Sequence, residues 1–204
     1  MFNHSDKQVA FRVVQACYDA GLRVFEWTNR GTEAAAMFLW VREFIDQNCQ
    51  GMILGAGSVF DGETCRKFHN MGASFIVSPV LDPDMAKACK ELDVLWIPGC
   101  GTVTEIHQAH NWGAEMVKIF PGDAVGGPGF VKAVLGPMPW AQIMPTGGVS
   151  PDPENLIAWF KSGVCCVGMG SQLFTKERIT DPDPEKLLSE IRKTLKIINE
   201  CRFH

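Results

Sequence analysis

The chain has 204 residues, enough for one domain with a substantial core, and nothing in that length requires two. Its hydrophobic fraction of 46% and charged fraction of 21% are those of an ordinary globular protein. The net charge of −4, with no run of Lys and Arg, argues against a nucleic-acid partner, so an anionic ligand has to be held by a few placed donors.

Targeting and redox signals favour a cytoplasmic protein. No apolar stretch approaches the ~20 residues of a membrane span, and no cleavable signal is visible at Met1, so we expect no membrane partner. The 8 cysteines show no C-x-x-C and no metal-ligand spacing. We expect them to be reduced thiols that behave as small hydrophobes.

In chain order, short apolar runs rich in β-formers alternate with longer segments of helical periodicity. The runs recur about every 20 to 30 residues, which is the size of a βα unit. Acidic or hydroxyl residues stand near the starts of the helical segments, and glycine often follows their ends. The runs cover residues 22–27, 52–56, 74–78, 94–97, 116–120, 141–144 and 164–168; helical segments include 7–20, 61–70, 83–91 and 104–111.

An eighth strand is predicted at the very start, over residues 1–4. A closed barrel needs it, because an open edge of a parallel sheet would otherwise be left uncovered. The predicted fold is therefore α/β, a (β/α)8 TIM barrel, apparently short at its N-terminus, with one domain over 1–204. The alternative, an open doubly wound sheet, lacks the expected G-x-G-x-x-G after its first strand.

The tail of the chain is longer than the minimal barrel needs. It predicts a C-terminal helix at about 184–200 with an apolar stripe. We expect this helix to pack on its own barrel, with a neighbouring subunit as the alternative. The stripe consists of Leu187, Leu188, Ile191, Leu195 and Ile198.

Two charged residues stand on otherwise apolar strands, near the ends where a barrel places its active site. Burial of Lys118 would lower its pKa and free the neutral amine to attack a carbonyl. A carboxylate at Glu26 could shuttle protons during carbinolamine formation and carbon–carbon cleavage. The alternative is a buried ion pair between the two that only fixes packing. The strand-end residues in order are Glu26, Ser58, Ser78, Pro79, Pro98, Lys118, Pro145, Thr146 and Gly168.

Two glycine-rich turns follow the last two predicted strands of the chain, residues 141–144 and 164–168. The first is Pro145-Thr146-Gly147-Gly148-Val149, and the second is Gly168-Met169-Gly170-Ser171. Exposed N–H groups in such turns bind phosphate with little help from positive charge, and these loops are the usual phosphate site of barrel enzymes. The sequence therefore predicts phosphate binding here.

Metal chemistry has little support in the sequence. The 5 histidines form neither H-x-H nor H-E-x-x-H, and His107 and His110 lie on a segment predicted to be an outer helix. We therefore predict no metal centre and disfavour a divalent-metal aldolase. The histidines are His4, His69, His107, His110 and His204.

Ordered stretches of the chain, up to about Phe174, resemble the 2-dehydro-3-deoxyphosphogluconate (KDPG) / 4-hydroxy-2-oxoglutarate (KHG) aldolase family. The resemblance implies a homotrimeric barrel that forms a Schiff base with pyruvate and needs no other cofactor. Its substrate would be a small phosphorylated keto acid, cleaved to pyruvate and glyceraldehyde 3-phosphate. The matching stretches are 21–30, 55–59, 72–79, 97–99, 104–105, 117–121, 145–149 and 168–171.

The resemblance also implies a role for individual positions. Lys118 would be the Schiff-base lysine and Glu26 the acid/base. The pyruvyl carboxylate would be held by Arg30, whose planar fork suits a bidentate grip, and by Ser58, which stands where the family usually has Thr. The remaining expected contacts are Pro98 and Phe120 around the imine, and Thr146, Gly147, Gly148, Gly170 and Ser171 around the phosphate.

Two other functions stay open from the sequence alone. The same site could act on 4-hydroxy-2-oxoglutarate, on the galactonate epimer or on an unphosphorylated keto acid. A non-catalytic barrel that binds a phosphorylated ligand is the alternative from another class. Burial of both Lys118 and Glu26 would weigh against it, because a mere binder has no reason to bury both groups.

Overall fold

The computed structural model of the protein describes residues 1–202. Within that range strands and helices alternate along most of the chain, and no helix is long and apolar enough to cross a membrane. The strands are β1 (Val24–Thr28), β2 (Ile53–Gly57), β3 (Phe75–Val77), β4 (Leu95–Ile97), β5 (Gly99–Cys100), β6 (Met116–Ile119) and β7 (Gln142–Pro145). The helices are α1 (Lys7–Asp19), α2 (Ala34–Asn48), α3 (Gly62–Asn70), α4 (Pro83–Glu91), α5 (Val103–Asn111), α6 (Gly127–Leu135), α7 (Pro153–Lys161), α8 (Lys176–Thr180) and α9 (Pro184–Arg202).

All strand pairs are parallel and follow chain order, β1-β2-β3-β4 and β5-β6-β7. The two sheets adjoin at Pro98, which separates β4 from β5 because proline has no N–H to donate to a ladder. The carbonyl of Pro98 still accepts from the backbone N–H of Lys118 at 2.8 Å. The strand order and the alternation with helices are those of the predicted (β/α)8 barrel.

The first and eighth predicted strands are reduced to single bridges, a difference from the expected runs 1–4 and 164–168. Phe2 bridges Trp27 of β1, and Gly168 bridges Thr146 at the end of β7. Only a few residues separate Phe2 from the start of α1, and they are too few to form a ladder of strand hydrogen bonds. The nitrogen of Met1 donates to the carbonyl of Met169 at 2.9 Å, so one hydrogen bond links the first and the last predicted strand segments of the barrel.

Alternation along each strand separates the barrel interior from the layer beneath the helices. Phe25 and Trp27 of β1 belong to the main core cluster, between the barrel and its helices. A second, smaller cluster lies inside the barrel and consists of Phe75, Val77, Ile97 and Met144, with Met116 and Cys166 packed against it. The interior is therefore mostly apolar.

Side chains just before the helices fix where several of them begin. Asp61, Asp82, Thr102 and Asp152 each accept a hydrogen bond from a backbone N–H in the first turn of the following helix. Because these caps stand in the loops after β2, β3, β5 and β7, they also fix the loops at the carboxyl ends of the strands.

The last helix, α9, packs against α1 and α7 of the same chain. Leu187, Leu188 and Ile191 are buried, and Leu195 and Ile198 are half-buried against the core. The helix extends two residues beyond the predicted end at 200 and reaches the amino-terminal side of the barrel, where Arg202 donates to the carbonyl of Cys165 at 3.0 Å.

Candidate active site

Lys118 and Glu26 both point into the barrel. Lys118 lies between Val117 and Ile119, which belong to the outer core cluster, and Glu26 lies between Phe25 and Trp27 in the same way. Strand alternation therefore turns the two charged side chains inward. They are only 4% and 7% exposed.

The two groups are not partners in a structural ion pair. Within residues 1–202, no salt bridge joins Lys118 to Glu26. The Oε1 atom of Glu26 is buried and has no hydrogen-bond partner. A buried carboxylate oxygen without a partner costs free energy, which is typical of a group kept for chemistry and not for stability.

The environment of Lys118 tunes its amine toward the neutral form. Burial lowers the pKa of Lys118 below its ordinary value, the charge of Glu26 opposes that shift, and the charge of Arg30 adds to it. The Nζ atom lies 4.8 Å from the centre of the Phe120 ring. An amine with a lowered pKa, close enough to feel the charge of Glu26 in a mostly apolar interior, can attack a carbonyl and exchange protons with that carboxylate.

Arg30 and Ser58 meet at the carboxyl ends of β1 and β2. The Nε atom of Arg30 donates to the hydroxyl of Ser58 at 3.2 Å, and the N–H of Asn29 donates to the carbonyl of Gly57 at 2.7 Å. Ser58 has a φ of +56°, a left-handed conformation that non-glycine residues seldom adopt and that often marks functional sites. Arg30 is exposed, so its guanidinium can face a ligand carboxylate.

The predicted imine wall also lies next to Lys118. Pro98 is buried at the break between β4 and β5, where its carbonyl holds the backbone of Lys118. Phe120 is half-buried one residue beyond β6, with its ring beside the amine. The structure thus brings both residues to the lysine.

The first glycine turn has backbone donors free for a ligand. Gly147 and Gly148 have φ values of +91° and +71°, and within residues 1–202 their N–H groups donate to no protein acceptor. The carbonyl of Gly148 is turned the other way, where it accepts from Asn155 Nδ2 at 2.9 Å and from Trp159 Nε1 at 3.4 Å. The turn therefore leaves two N–H donors available to a ligand, while the carbonyl of Gly148 is already hydrogen-bonded, and this arrangement favours an anion.

The second glycine turn lies beside the first. The N–H of Gly168 donates to the carbonyl of Pro145 at 2.9 Å, and Gly168 bridges Thr146. The carbonyl of Gly170 accepts from two later N–H groups, whereas the N–H groups of Gly170 and Ser171 donate to no acceptor in the described part of the chain. All five predicted phosphate contacts are thus brought together on adjacent turns.

Two further residues, Gly57 and Asp123, shape the site although the sequence assigned them no role, and Gly168 makes a close approach that the sequence did not predict. A Cβ at Gly57 would lie 1.7 Å from Glu26 Oε1, and one at Gly168 would lie 2.5 Å from the buried, unpartnered Oγ1 of Thr146. A Cβ at Gly148 would lie 2.3 Å from the Cβ of Asp123, an exposed carboxylate residue beside the first turn. Glycines inside apolar strands mark such close approaches, and they are the signal available in the sequence.

The histidines do not gather into a metal centre. Among residues 1–202, no group of three His, Cys, Asp or Glu side chains could hold a metal ion. His107 and His110 are exposed on α5, where His107 contacts Asn111 and His110 stacks on Trp140. His204 lies outside the described residues.

A separate cavity of about 800 Å³ opens at the amino-terminal ends of the strands. Its lining is mostly apolar and includes the first residues of β1, β2, β3, β4 and β6 together with part of α9. It reaches inward as far as Glu26 and is also lined by Gly168 and Met169 of the second glycine turn, whereas Lys118 and the first glycine turn do not line it.

Comparison with known proteins covers nearly the whole chain. Residues 2–189 match a family model described as KDPG and KHG aldolase. The 2-dehydro-3-deoxy-phosphogluconate aldolase of Treponema pallidum is 30% identical over 189 residues, 93% of this chain and 87% of that protein. The KHG/KDPG aldolase of Escherichia coli K12 is 31% identical over 186 residues, 91% of this chain and 84% of that protein.

The fold likeness is equally extensive. A solved structure described as "Native KDPGal structure" superposes with a TM-score of 0.86 at 25% sequence identity. The match covers 100% of this chain and 94% of that one. The predicted barrel class is confirmed by this likeness and by the parallel strand order.

Proposed function

The chain belongs to the KDPG and KHG aldolase family, and on that premise we propose that it cleaves 2-dehydro-3-deoxy-6-phosphogluconate to pyruvate and glyceraldehyde 3-phosphate. As a member of the family it is a class I aldolase, a carbon–carbon lyase that forms a Schiff base with its keto-acid substrate. We propose 4-hydroxy-2-oxoglutarate as a second substrate, because the Escherichia coli relative bears both acids in its name.

The single observation that carries the residue assignment is the pair of buried groups inside the barrel. Lys118 has a lowered pKa, and Glu26 Oε1 has no hydrogen-bond partner. A carboxylate and an amine that form no salt bridge with each other in an apolar interior can serve two separate chemical roles. The proposal gives the nucleophile to Lys118 and the proton transfers to Glu26.

In the proposed mechanism the neutral amine of Lys118 adds to the C2 carbonyl of the keto acid. Glu26 takes a proton from the nitrogen of the adduct and passes it to the oxygen; with one further proton from solvent, the oxygen leaves as water and a protonated imine remains. The C3–C4 bond then breaks, its electron pair moves to the imine to form an enamine, and the C4 hydroxyl proton passes to Glu26. The same proton returns to C3, and water hydrolyses the imine to free pyruvate and the amine.

The remaining residues orient the substrate at its two ends. Arg30 and Ser58 bind the carboxylate next to C2, and their 3.2 Å hydrogen bond presets the spacing of the donors. At the other end the free N–H groups of Gly147, Gly148 and Gly170 receive the phosphate, with Ser171 and Thr146. Pro98 and Phe120 keep water away from the imine.

Pyruvate and borohydride test the proposal directly. Reduction of the mixture should leave one stable adduct, located on Lys118 by mass spectrometry of the peptides. Lys118→Met should give no adduct. An adduct on another lysine, or cleavage activity that survives Lys118→Met, would refute the assignment.

Substrate choice is tested at the phosphate end. The comparison is kcat/KM for the phosphorylated keto acid against its unphosphorylated form, against the galactonate epimer and against 4-hydroxy-2-oxoglutarate. We expect the phosphorylated substrate to be favoured by about 10²-fold or more, since binding energy at a remote group is used in the transition state. Equal values would assign the chain to unphosphorylated acids.

The proposal also includes a homotrimer located in the cytoplasm. The trimer comes from the family resemblance, with exposed apolar side chains at Phe60, Val80 and Val103 as surface support, and the location comes from the targeting and redox signals of the sequence. Sedimentation equilibrium of the purified protein should give three times the chain mass of 22.5 kDa. A monomer at micromolar concentration would contradict this part.

A further inference from the structure

We propose that Gly57 is a positioning residue for the reaction, because its missing side chain leaves the space in which the Glu26 carboxylate lies. The inference rests on the proposed role of Glu26 in proton transfer. Gly57 does not touch the substrate itself. It acts by setting where the carboxylate stands relative to the reacting carbons.

The contact is close over the whole end of the Glu26 side chain. A Cβ built on Gly57 would lie 1.7 Å from Oε1, 2.5 Å from Cδ and 2.8 Å from Cγ of Glu26. Real Cβ atoms essentially never approach another heavy atom within 3.0 Å. Any side chain at this position therefore requires the carboxylate to move.

Backbone conformation does not explain the glycine. The φ of Gly57 lies outside the left-handed region, whereas its neighbour Ser58 is left-handed at +56°. Alanine could adopt the backbone of Gly57 without strain. What alanine could not do is share the space with Glu26.

Glu26 has no hydrogen bond at Oε1 that would hold the carboxylate after such a displacement. That atom is buried without a partner, and the residue is only 7% exposed. Its position is therefore set by the surrounding walls, of which Gly57 is one. A shift of about 1 Å in a catalytic group can cost on the order of 10²-fold in rate.

The test compares the rate of proton exchange at the pyruvate methyl group with the yield of the trapped imine. For Gly57→Ala we expect exchange of the pyruvate methyl protons with solvent to slow by about 10²-fold, while borohydride still traps pyruvate on Lys118. Gly55→Ala is the matched control. It lies two residues back on the same strand face, and its Cβ would meet the Phe75 ring at 2.3 Å, so we expect lower stability and exchange close to the parent rate.

A second substitution shows whether the effect runs through Glu26. Glu26→Asp shortens the side chain by one methylene, so it should slow exchange in the parent protein. In the Gly57→Ala background it removes the closest contact, that of Oε1 at 1.7 Å, so it should cost at least tenfold less, or restore activity. Parental exchange in Gly57→Ala, or equal slowing by Glu26→Asp in both backgrounds, overturns the proposal.

Folding failure is also informative. If Gly57→Ala does not fold, the double variant Gly57→Ala/Glu26→Ala should fold, because removal of the carboxylate arm empties the space. A double variant that also fails to fold overturns the proposal. Parental exchange in Glu26→Gln would instead refute the proposed function, so failure of the two claims can be told apart.

Discussion

The two ends of the barrel differ in what they bury and in what they leave open. The carboxyl ends of the strands hold Lys118, Glu26 and Thr146 below 9% exposure, with unpartnered oxygen atoms on Glu26 and Thr146. The amino-terminal end holds the cavity of about 800 Å³ and exposed aliphatic residues such as Val24 and Ile53.

The difference shows that cavity volume is a poor guide to the site in this protein. A large apolar pocket with a few converging polar groups is the usual first candidate for a binding site. Here the cavity shares Glu26 with the candidate site, whereas Lys118, Thr146 and the free N–H groups of Gly147, Gly148 and Gly170 lie outside its lining. Of the three buried side-chain polar atoms without partners in the described residues, Glu26 Oε1 and Thr146 Oγ1 belong to the candidate site and His69 Nδ1 lies on α3.

The largest effect on activity is expected from substitution of Lys118, at the carboxyl ends of the strands. Lys118→Met should lower kcat by about 10⁴-fold or more, because it removes the nucleophile. It should also raise the free energy of unfolding by about 1 kcal/mol at neutral pH, since it removes a desolvated amine. Steady-state kinetics and urea unfolding measure the two effects.

The sign of the stability effect depends on pH. Because the pKa of Lys118 is lowered in the folded state, the unfolded chain binds this proton more tightly. Stability contributed by this site therefore rises with pH between the lowered pKa and the ordinary lysine range. Lys118→Met should abolish that rise, and an unchanged pH dependence would contradict the burial argument.

The next effect concerns the phosphate end. Gly148→Ala would bring a Cβ within 2.3 Å of Asp123 in a left-handed turn, so the free N–H groups should be displaced. We expect kcat/KM for the phosphorylated substrate to fall by about 10²-fold while pyruvate methyl exchange stays unchanged.

Gly163→Ala provides the control for that prediction. Gly163 is also left-handed, lies outside both glycine turns just after α7, and its Cβ would meet Leu135 at 2.5 Å. It should cost stability and leave substrate preference as in the parent. Equal losses of kcat/KM in both variants would mean that the first turn has no specific role in binding phosphate.

A smaller effect is expected at Arg30. Arg30→Met should raise KM for pyruvate by about 10- to 100-fold, since a charged hydrogen bond to the carboxylate is lost. The charge of Arg30 lowers the pKa of Lys118, so its removal should raise that pKa. The acid limb of the imine-formation profile should then move to higher pH.

The Arg30→Lys substitution distinguishes the bidentate hydrogen bonding of Arg30 from the effect of its charge. Lysine keeps the positive charge and loses the planar fork, so KM should rise without the shift in pH profile. A pH shift of the same size in both variants would show that the charge of Arg30 does not act on Lys118.

The smallest expected effect lies at the amino-terminal end. Ile53→Thr changes a residue that is 46% exposed at the rim of the cavity. Stability should change by no more than about 0.5 kcal/mol, and kcat should stay at the parent value. A large loss of kcat would mean that this end of the barrel takes part in the reaction.

Much of the barrel could be predicted from periodicity and turn chemistry. The predicted runs at 52–56, 74–78 and 94–97 overlap β2, β3 and β4, because alternating apolar residues and flanking caps both identify a βα unit. The runs at 1–4 and 164–168 form only single bridges. Short runs have too few ladder hydrogen bonds for their pattern to decide regularity.

The candidate site was predictable in its residues and not in its contacts. Lys118 and Glu26 stand out in the sequence as charges on apolar strands, yet the sequence left open an ion pair between them. Whether two inward side chains meet depends on strand stagger and on rotamers, which no one-dimensional pattern contains. The role of Gly57 depends on the rotamer of Glu26 and was hidden for the same reason.

The central claim is that Lys118 holds the substrate covalently while Glu26 moves the proton. One sample of Glu26→Gln, incubated with pyruvate in deuterated buffer and then divided, tests it by NMR of the methyl group and by borohydride trapping. The account predicts that methyl exchange falls by about 10²-fold or more while the Lys118 adduct still forms. Loss of both to the same extent would show that Glu26 only positions Lys118.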